Sequence, residues 1–215
     1  MSQGPAETFA ALAALPFLRA AFIQRCPDVE VLTDRKTAMQ RLRAVQRETA
    51  DKFGFGGMPF ATAEQVHGNI IAHVDASTQA PGADGLISST SRLCLAISVA
   101  DCAAVFLADK HARAIALVHS GKKGTELGIV PRAIAALQDR YAIPPADPVV
   151  QIAPCIRPPH YEIDFAAEIV RQARAAGVQD VYDCGICTAS NPEKYYSYRR
   201  EKGRTGRLLA LLALV

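Results

Sequence analysis

The sequence predicts a mixed α/β fold, a layered sandwich of sheets with helices outside. Three observations lead there. Apolar runs of strand length outnumber helical stripes, the two kinds do not alternate regularly, and several runs are apolar at consecutive positions, as in strands covered on both faces. The 215 residues, 50% hydrophobic and 21% charged, suit one globular domain spanning 1–215. No internal repeat and no long Gly/Ser- or Pro-rich linker divides the chain.

The first helix is predicted over Arg35–Phe53, where Met39, Leu42, Val45, Thr49 and Phe53 form a stripe. Thr33 or Asp34 is its cap, and Gly54 follows its end. Phe60–Val66 and Ile70–Val74 follow as short extended runs. Leu93–Ala100, Ala103–Ala108 and Ala114–Val118 read as strands buried on both faces. A second helix is expected over about Thr125–Tyr141, with Pro131 kinking it or marking a late start. Val149–Ala153 is a weaker strand. A third helix begins at the cap Asp164, turns Phe165, Ile169, Val170 and Ala173 inward, and stops at Gly177. Val178–Tyr182 is a strand, and the apolar run Leu208–Val215 fits either a strand or a short helix.

Composition narrows the function classes. Lys plus Arg number 24 against 21 Asp plus Glu, a net charge of +3, too small an excess to indicate nucleic-acid binding. The longest apolar runs, Phe9–Leu18 and Leu208–Val215, fall short of the ~20 residues a membrane span needs. Glu7 and the lack of a preceding Lys or Arg argue against a secretory signal. Six cysteines are too few for a disulfide scaffold and read as reduced thiols of a cytoplasmic protein. Nothing in the sequence fixes an oligomeric state.

Three residues that ligate metals sit at the ends of apolar runs. His67 lies in Gln65-Val66-His67-Gly68, Cys102 follows Ala100-Asp101, and His119 opens His119-Ser120-Gly121. If the strands are neighbours, two imidazoles and one thiolate converge. Zinc prefers such donors, and three protein ligands leave its fourth position open, as in catalytic sites. The alternative is a small core cysteine and two hydrogen-bonded histidines. Asp84, in a turn before Leu86-Ile87, and Asp101 are candidates to orient a ligand or move a proton. In a regular strand Asp101 faces away from Cys102, so its role requires a bend.

These motifs, with Ser197-Tyr198-Arg199-Arg200 and Thr205-Gly206-Arg207, resemble in content and order the multicopper polyphenol oxidase (laccase) domain family. Members are also described as laccase-domain purine nucleoside phosphorylases. The resemblance runs from about Ala63 to the C-terminus and implies a fold of the laccase-domain type, with the motif-bearing part at about 60–215. It implies zinc on His67, Cys102 and His119, and phosphorolysis of adenosine, inosine, guanosine and methylthioadenosine, with adenosine deamination. Copper-dependent phenol oxidation and editing of peptidoglycan precursors are the family's other attributed activities. A non-catalytic metal-binding domain is the reading of a different class.

The chain departs from the family pattern in two places. The family's HAGWRG reads His119-Ser120-Gly121-Lys122-Lys123-Gly124, so an indole and a guanidinium become two lysines. The family's GPCCYEV reads Arg157-Pro158-Pro159-His160-Tyr161-Glu162-Ile163, without the adjacent cysteines. Arg25 is the candidate for the family's early arginine-bearing loop.

A phosphate site calls for cations near free backbone amides. Lys122, Lys123, Arg199, Arg200 and His160 are the candidates, with Lys123 holding the attacking phosphate; Arg207 is a further one, though it reads more readily as a surface cation. Among the other candidates, Cys184-Gly185-Ile186-Cys187 lacks the second pair of a zinc site and reads as structural. His73 reads as a core histidine and His111 as a surface one. Tyr195–Arg200 mixes aromatics and cations as single-strand binders do, but the near-neutral charge favours aromatics beside a purine pocket.

Overall fold

Two six-stranded sheets lie face to face in the computed structural model, which describes residues 6–215. The chain opens with β1 (Ala6–Glu7), α1 (Ala10–Ala13), β2 (Leu18–Ile23) and α2 (Arg35–Ala50). Five strands follow: β3 (Phe60–Ala63), β4 (Ile71–His73), β5 (Gln79–Ala80), β6 (Gly85–Ser88) and β7 (Cys94–Val99). Then come β8 (Ala103–Asp109), β9 (Ile115–Ser120), α3 (Lys122–Glu126), α4 (Ile129–Tyr141) and β10 (Pro148–Ile152). The last elements are α5 (Phe165–Ala175), β11 (Asp180–Asp183) and β12 (Leu208–Leu214).

The first sheet has the order β1-β2-β12-β7-β3-β5 and the second β11-β10-β8-β9-β6-β4. Both are mixed. Central pairs such as β8 with β9 and β12 with β7 are antiparallel, and β3–β7, β4–β6 and β10–β11 are parallel.

Side-chain alternation divides the core into layers. In β8, Ala104, Phe106 and Ala108 face the space between the sheets, and Ala103, Val105 and Leu107 face α4 and α5. In β12, Leu208, Ala210, Leu212 and Leu214 fill the intersheet core, and Leu209, Leu211 and Ala213 pack under the end of α2. Each of these strands is covered on both sides, which explains its uninterrupted apolar sequence. The final run is therefore a strand.

The helices hold to their capping signals and depart in detail. Asp34 caps α2 by accepting from Thr37 N at 3.0 Å. Its buried face is Ala38, Leu42, Gln46 and Thr49, while Val45 is exposed. The predicted stripe is thus rotated, because Gln46 turns inward and donates to Arg207 O at 2.7 Å. The helix ends at Ala50, and Phe53 lies in a wider π-helical turn closed by Gly54 at φ +89°. Left-handed Gly128 (φ +70°) splits the predicted second helix into α3 and α4, with Pro131 in the first turn of α4. Asp164 caps α5, and Gly177 at φ +100° ends the segment.

Two expectations fail here. His73 is exposed, because β4 is an edge strand with Tyr141 its aromatic neighbour at 6.3 Å. The strand β2, paired between β1 and β12 in the first sheet, has no counterpart among the predicted strands, since Leu18–Ile23 carries Arg19 and two alanines rather than a bulky apolar run. Among the described residues no helix is long and apolar enough to cross a membrane. All six cysteines are unbridged, and the backbone of Cys187 pairs with Cys155, a structural role for the C-x-x-C segment.

The β8–β9 hairpin, which sets the position of His119, turns on a buried charge. Asp109 is fully buried and accepts from Arg113 N at 2.9 Å, Nε at 2.8 Å and a terminal nitrogen at 2.7 Å. Burial pushes this carboxyl up, but the Arg113 hydrogen bonds and charge outweigh it and hold it below the usual range. Asp109→Asn is expected to cost about 2–3 kcal/mol in urea unfolding at pH 7. A depressed carboxyl stabilises fully above its unfolded value of about 4 and loses that contribution as pH falls through the folded value. The gap between wild type and variant should therefore be constant from pH 7 to about 5 and close below about pH 4.

Candidate metal centre and its cavity

Strand register brings the three predicted ligands together. In β8–β9, Ala103 pairs with Ser120 and Ala104 with His119, so Cys102, one residue earlier, falls opposite Gly121. In β6–β9, Gly85 pairs with Val118, so Asp84 falls opposite His119. His67 arrives from the turn after β3, in the other sheet. The group thus forms where the two sheets splay at one end and the chain crosses from β7 to β8. One ligand atom from each of His67, Cys102 and His119 lies within 4.8 Å of the others. The two rings meet edge to face with centroids 4.9 Å apart.

Asp84 holds two of the three. Its buried carboxylate lies 2.8 Å from His119 Nδ1 and accepts from His67 N at 2.9 Å, Gly68 N at 2.7 Å and Val66 N at 3.2 Å. Its backbone carbonyl accepts from His119 N at 2.7 Å. Burial would raise this carboxyl, but His119 and the Gly68 and His67 amides hold it below the usual range. With Nδ1 engaged, His119 presents Nε2 to the cluster. Asp84 thus fixes His119 and the His67 turn and does not line the cavity.

The electrostatics hold charge on both the sulfur and the imidazole. Burial opposes charge on the Cys102 thiol, but hydrogen bonding and charge from His119 and His67 bring it down to about 6. Burial also opposes a charged His119, and Asp84 and Cys102 raise it to about 9. One thiolate and two imidazoles are a donor set suited to zinc, and the carboxylate behind His119 is the usual support of a ligating histidine. Among the described residues it is the one such group.

The backbone is strained at this point. Gln65, His67 and Asp101 have φ of +65°, +61° and +82°, a region non-glycine residues rarely occupy. Each is tied down. Gln65 Nε2 donates to Ser98 O at 2.6 Å and its Oε1 accepts from Ser98 N at 3.0 Å, fastening the His67 turn to β7. Asp101 does bend the chain, but its carboxylate meets neither histidine. It accepts from Thr188 Oγ1 and Arg199 N, each at 2.7 Å, and so draws two distant loops to the ligand turn.

A cavity of about 660 Å³ opens over the group, with Arg35, Lys122, Tyr161, Tyr198, Arg199 and Arg207 among its walls. Arg199 is held by both Glu162 oxygens at 2.8 and 3.0 Å, with its guanidinium over the Tyr161 ring. Tyr198 is 55% exposed, whereas Tyr195 and Tyr196 are core residues.

Several candidates lie elsewhere. Lys123 does not line the cavity, because adjacent positions on α3 point about 100° apart and Lys122 takes the inner one. Arg200 reaches the Ala189 carbonyl instead, at 3.0 Å. His160 is exposed in its proline turn and outside the walls. Arg25 pairs with Glu201 at 2.7 Å and stacks on Tyr196. Arg207, read as a surface cation, is half-buried in the wall. Arg35 was missed, since a lone arginine after a helix cap carries no local signal.

Fold and site define a two-sheet α/β protein with a single His–Cys–His group able to hold a metal at the floor of a cationic cavity. Residues 31–168 and 162–215 match the model of the multi-copper polyphenol oxidoreductase laccase family, and the chain belongs to that family. It is 31% identical to a purine nucleoside phosphorylase of Deinococcus radiodurans, over 93% of this chain and 93% of that protein. It is 29% identical to purine nucleoside phosphorylase YlmD of Geobacillus stearothermophilus, over 78% of this chain and 76% of the relative. The crystal structure of YlmD shares the fold with a TM-score of 0.82 at 24% identity, covering 93% of each chain. The hypothetical protein YfiH of Bacillus licheniformis does so at 0.82 and 21% identity, covering 92% of this chain and 93% of its own.

Two substitutions test the group's construction. A methyl added at Gly121 would lie 2.5 Å from Cys102 Sγ, so Gly121→Ala should displace the sulfur and lower bound metal while leaving the thermal transition intact. Asp84→Asn should weaken metal affinity about 10- to 100-fold, read by competition with a chromophoric chelator. Unchanged metal affinity in both variants would remove the group as a metal site.

Proposed function

We propose that this protein is a purine nucleoside phosphorylase that carries one zinc ion on His67, Cys102 and His119. The observation that carries the reading is the placement of that donor group at the floor of a cavity with cationic and aromatic walls. The relatives' names support the same reaction class. Zinc bound there would supply a Lewis acid with an open coordination position.

In phosphorolysis a phosphate oxygen forms a bond to the ribose anomeric carbon. The glycosidic bond breaks, and its electron pair leaves with the base nitrogen, which takes up a proton. The residues of the cavity divide this work. Tyr198, 55% exposed with the Arg207 guanidinium looser over its ring at 5.9 Å, offers ring surface for a flat base, in a chain where the family's tryptophan is Lys122. Tyr161 is already covered by Arg199 at 4.9 Å and braced edge-on by Phe165 at 5.9 Å, so it forms wall rather than platform. Asp101 has both carboxylate oxygens engaged and fixes the loop that carries Tyr198 and Arg199. The cations supply the charge that a phosphate dianion requires.

Adenosine and inosine, each incubated with the purified protein with and without inorganic phosphate, test the reading by mass spectrometry. The expected products are adenine or hypoxanthine with ribose 1-phosphate, formed only when phosphate is present. Inosine formed from adenosine without phosphate would indicate deamination, and dye oxidation restored by copper alone would indicate an oxidase. No nucleoside product at all would overturn the proposal. Tyr198→Ala should raise the nucleoside KM about tenfold and leave metal content unchanged, as loss of one base–aromatic stack implies.

A further inference from the structure

We infer that Arg35 and Arg207 form the phosphate subsite of the cavity, a pair of guanidiniums from opposite ends of the chain that clamp an inorganic phosphate or phosphoryl group beside the ligand turn. The role of the clamp in catalysis rests on the phosphorolysis reading, but the site itself stands on charge and geometry.

Four cations line the cavity, and they are not equivalent. Arg199 has its charge met by Glu162, and Lys122 lies 3.9 Å from Glu126. Arg35 and Arg207 have no carboxylate partner among the described residues, whereas Arg25 is paired with Glu201 and Arg157 with Asp183. The carboxylate closest in sequence to Arg35 is Asp34, whose oxygens are turned to Thr37 N and Oγ1 at 3.0 and 2.7 Å. Arg35 itself makes no side-chain hydrogen bond among the described residues.

Arg207 is fixed from behind. One terminal nitrogen donates to the carbonyls of Thr205 and Gly206 at 3.2 and 2.9 Å, which leaves Nε and the other terminal nitrogen free of protein acceptors. Its own carbonyl is gripped by Gln46 at 2.7 Å, which links β12 to α2, the helix that begins at Arg35. Burial, and then the charge of Arg35, lowers the Arg207 guanidinium from its ordinary value, and Cys102 and Asp101 act the other way. Arg207 therefore feels both Arg35 and the ligand turn. Two like charges facing one cavity without a counter-ion cost free energy, and a dianion between them removes that cost. Guanidinium forks match phosphate oxygens in geometry.

Titration calorimetry of the purified, metal-containing protein with inorganic phosphate, in the absence of nucleoside, tests the clamp. Arg35→Gln, at an exposed position, and Arg207→Lys, which keeps the charge and loses the fork, should each weaken phosphate binding at least about tenfold. Arg174→Gln, which removes the same charge from the far end of α5, should leave it unchanged. In turnover assays the first two variants should raise the phosphate KM far more than the nucleoside KM. Wild-type phosphate affinity in either variant, or no phosphate binding by the wild type, overturns the clamp. Purine turnover with phosphate affinity retained in both variants would reject the clamp and keep the phosphorylase reading. Phosphate binding lost in the variants, with no turnover of any nucleoside, would do the reverse.

Discussion

A single buried carboxylate organises the functional end of this protein. Asp84 meets the imidazole of His119 and the amides of the His67 turn at once, so two ligands from different sheets share one anchor. A carboxylate with no solvent contact is costly unless its lone pairs are satisfied, and four donors satisfy this one. The desolvation that makes the group expensive also makes its geometry strict, since any slippage would leave a bare charge. Cys102 needs no such anchor. Its place follows from the β8–β9 register and from the space that Gly121, lacking a side chain, leaves for sulfur.

The strain around the ligands has the same origin. Three non-glycine residues near the ligands adopt left-handed backbone conformations, each costing of order 1–3 kcal/mol. They persist because Asp84, Ser98 and Asp101 bind the flanking segments to the rigid strands. A sheet end tolerates such turns because the ladder no longer dictates φ and ψ there. The site sits at the seam between the sheets for that reason, with the apolar core below it.

Charge is distributed locally rather than globally. The net charge of +3 is modest for 215 residues, yet four cations line one cavity. Elsewhere several arginine charges are met in pairs, as that of Arg113 is at the β8–β9 turn. Two of the four cavity cations, Arg35 and Arg207, have no carboxylate partner among the described residues.

The sequence by itself determined the mixed α/β class, the buried strands from Leu93 to Val118 and the caps at Asp34 and Asp164, because these rest on short-range periodicity and local hydrogen bonds. It also marked His67, Cys102 and His119 as ligand types at strand ends, through motifs a few residues long. Tertiary structure alone decided that they meet, that Asp84 orients while Asp101 bends and ties, and that Lys122 rather than Lys123 faces the cavity. It alone turned Arg207 inward beside Arg35 and placed β2 between β1 and β12. The physical reason is range: periodicity and capping act within a few residues, whereas register, layer stacking and the meeting of unpaired charges depend on segments from tens to more than a hundred positions apart.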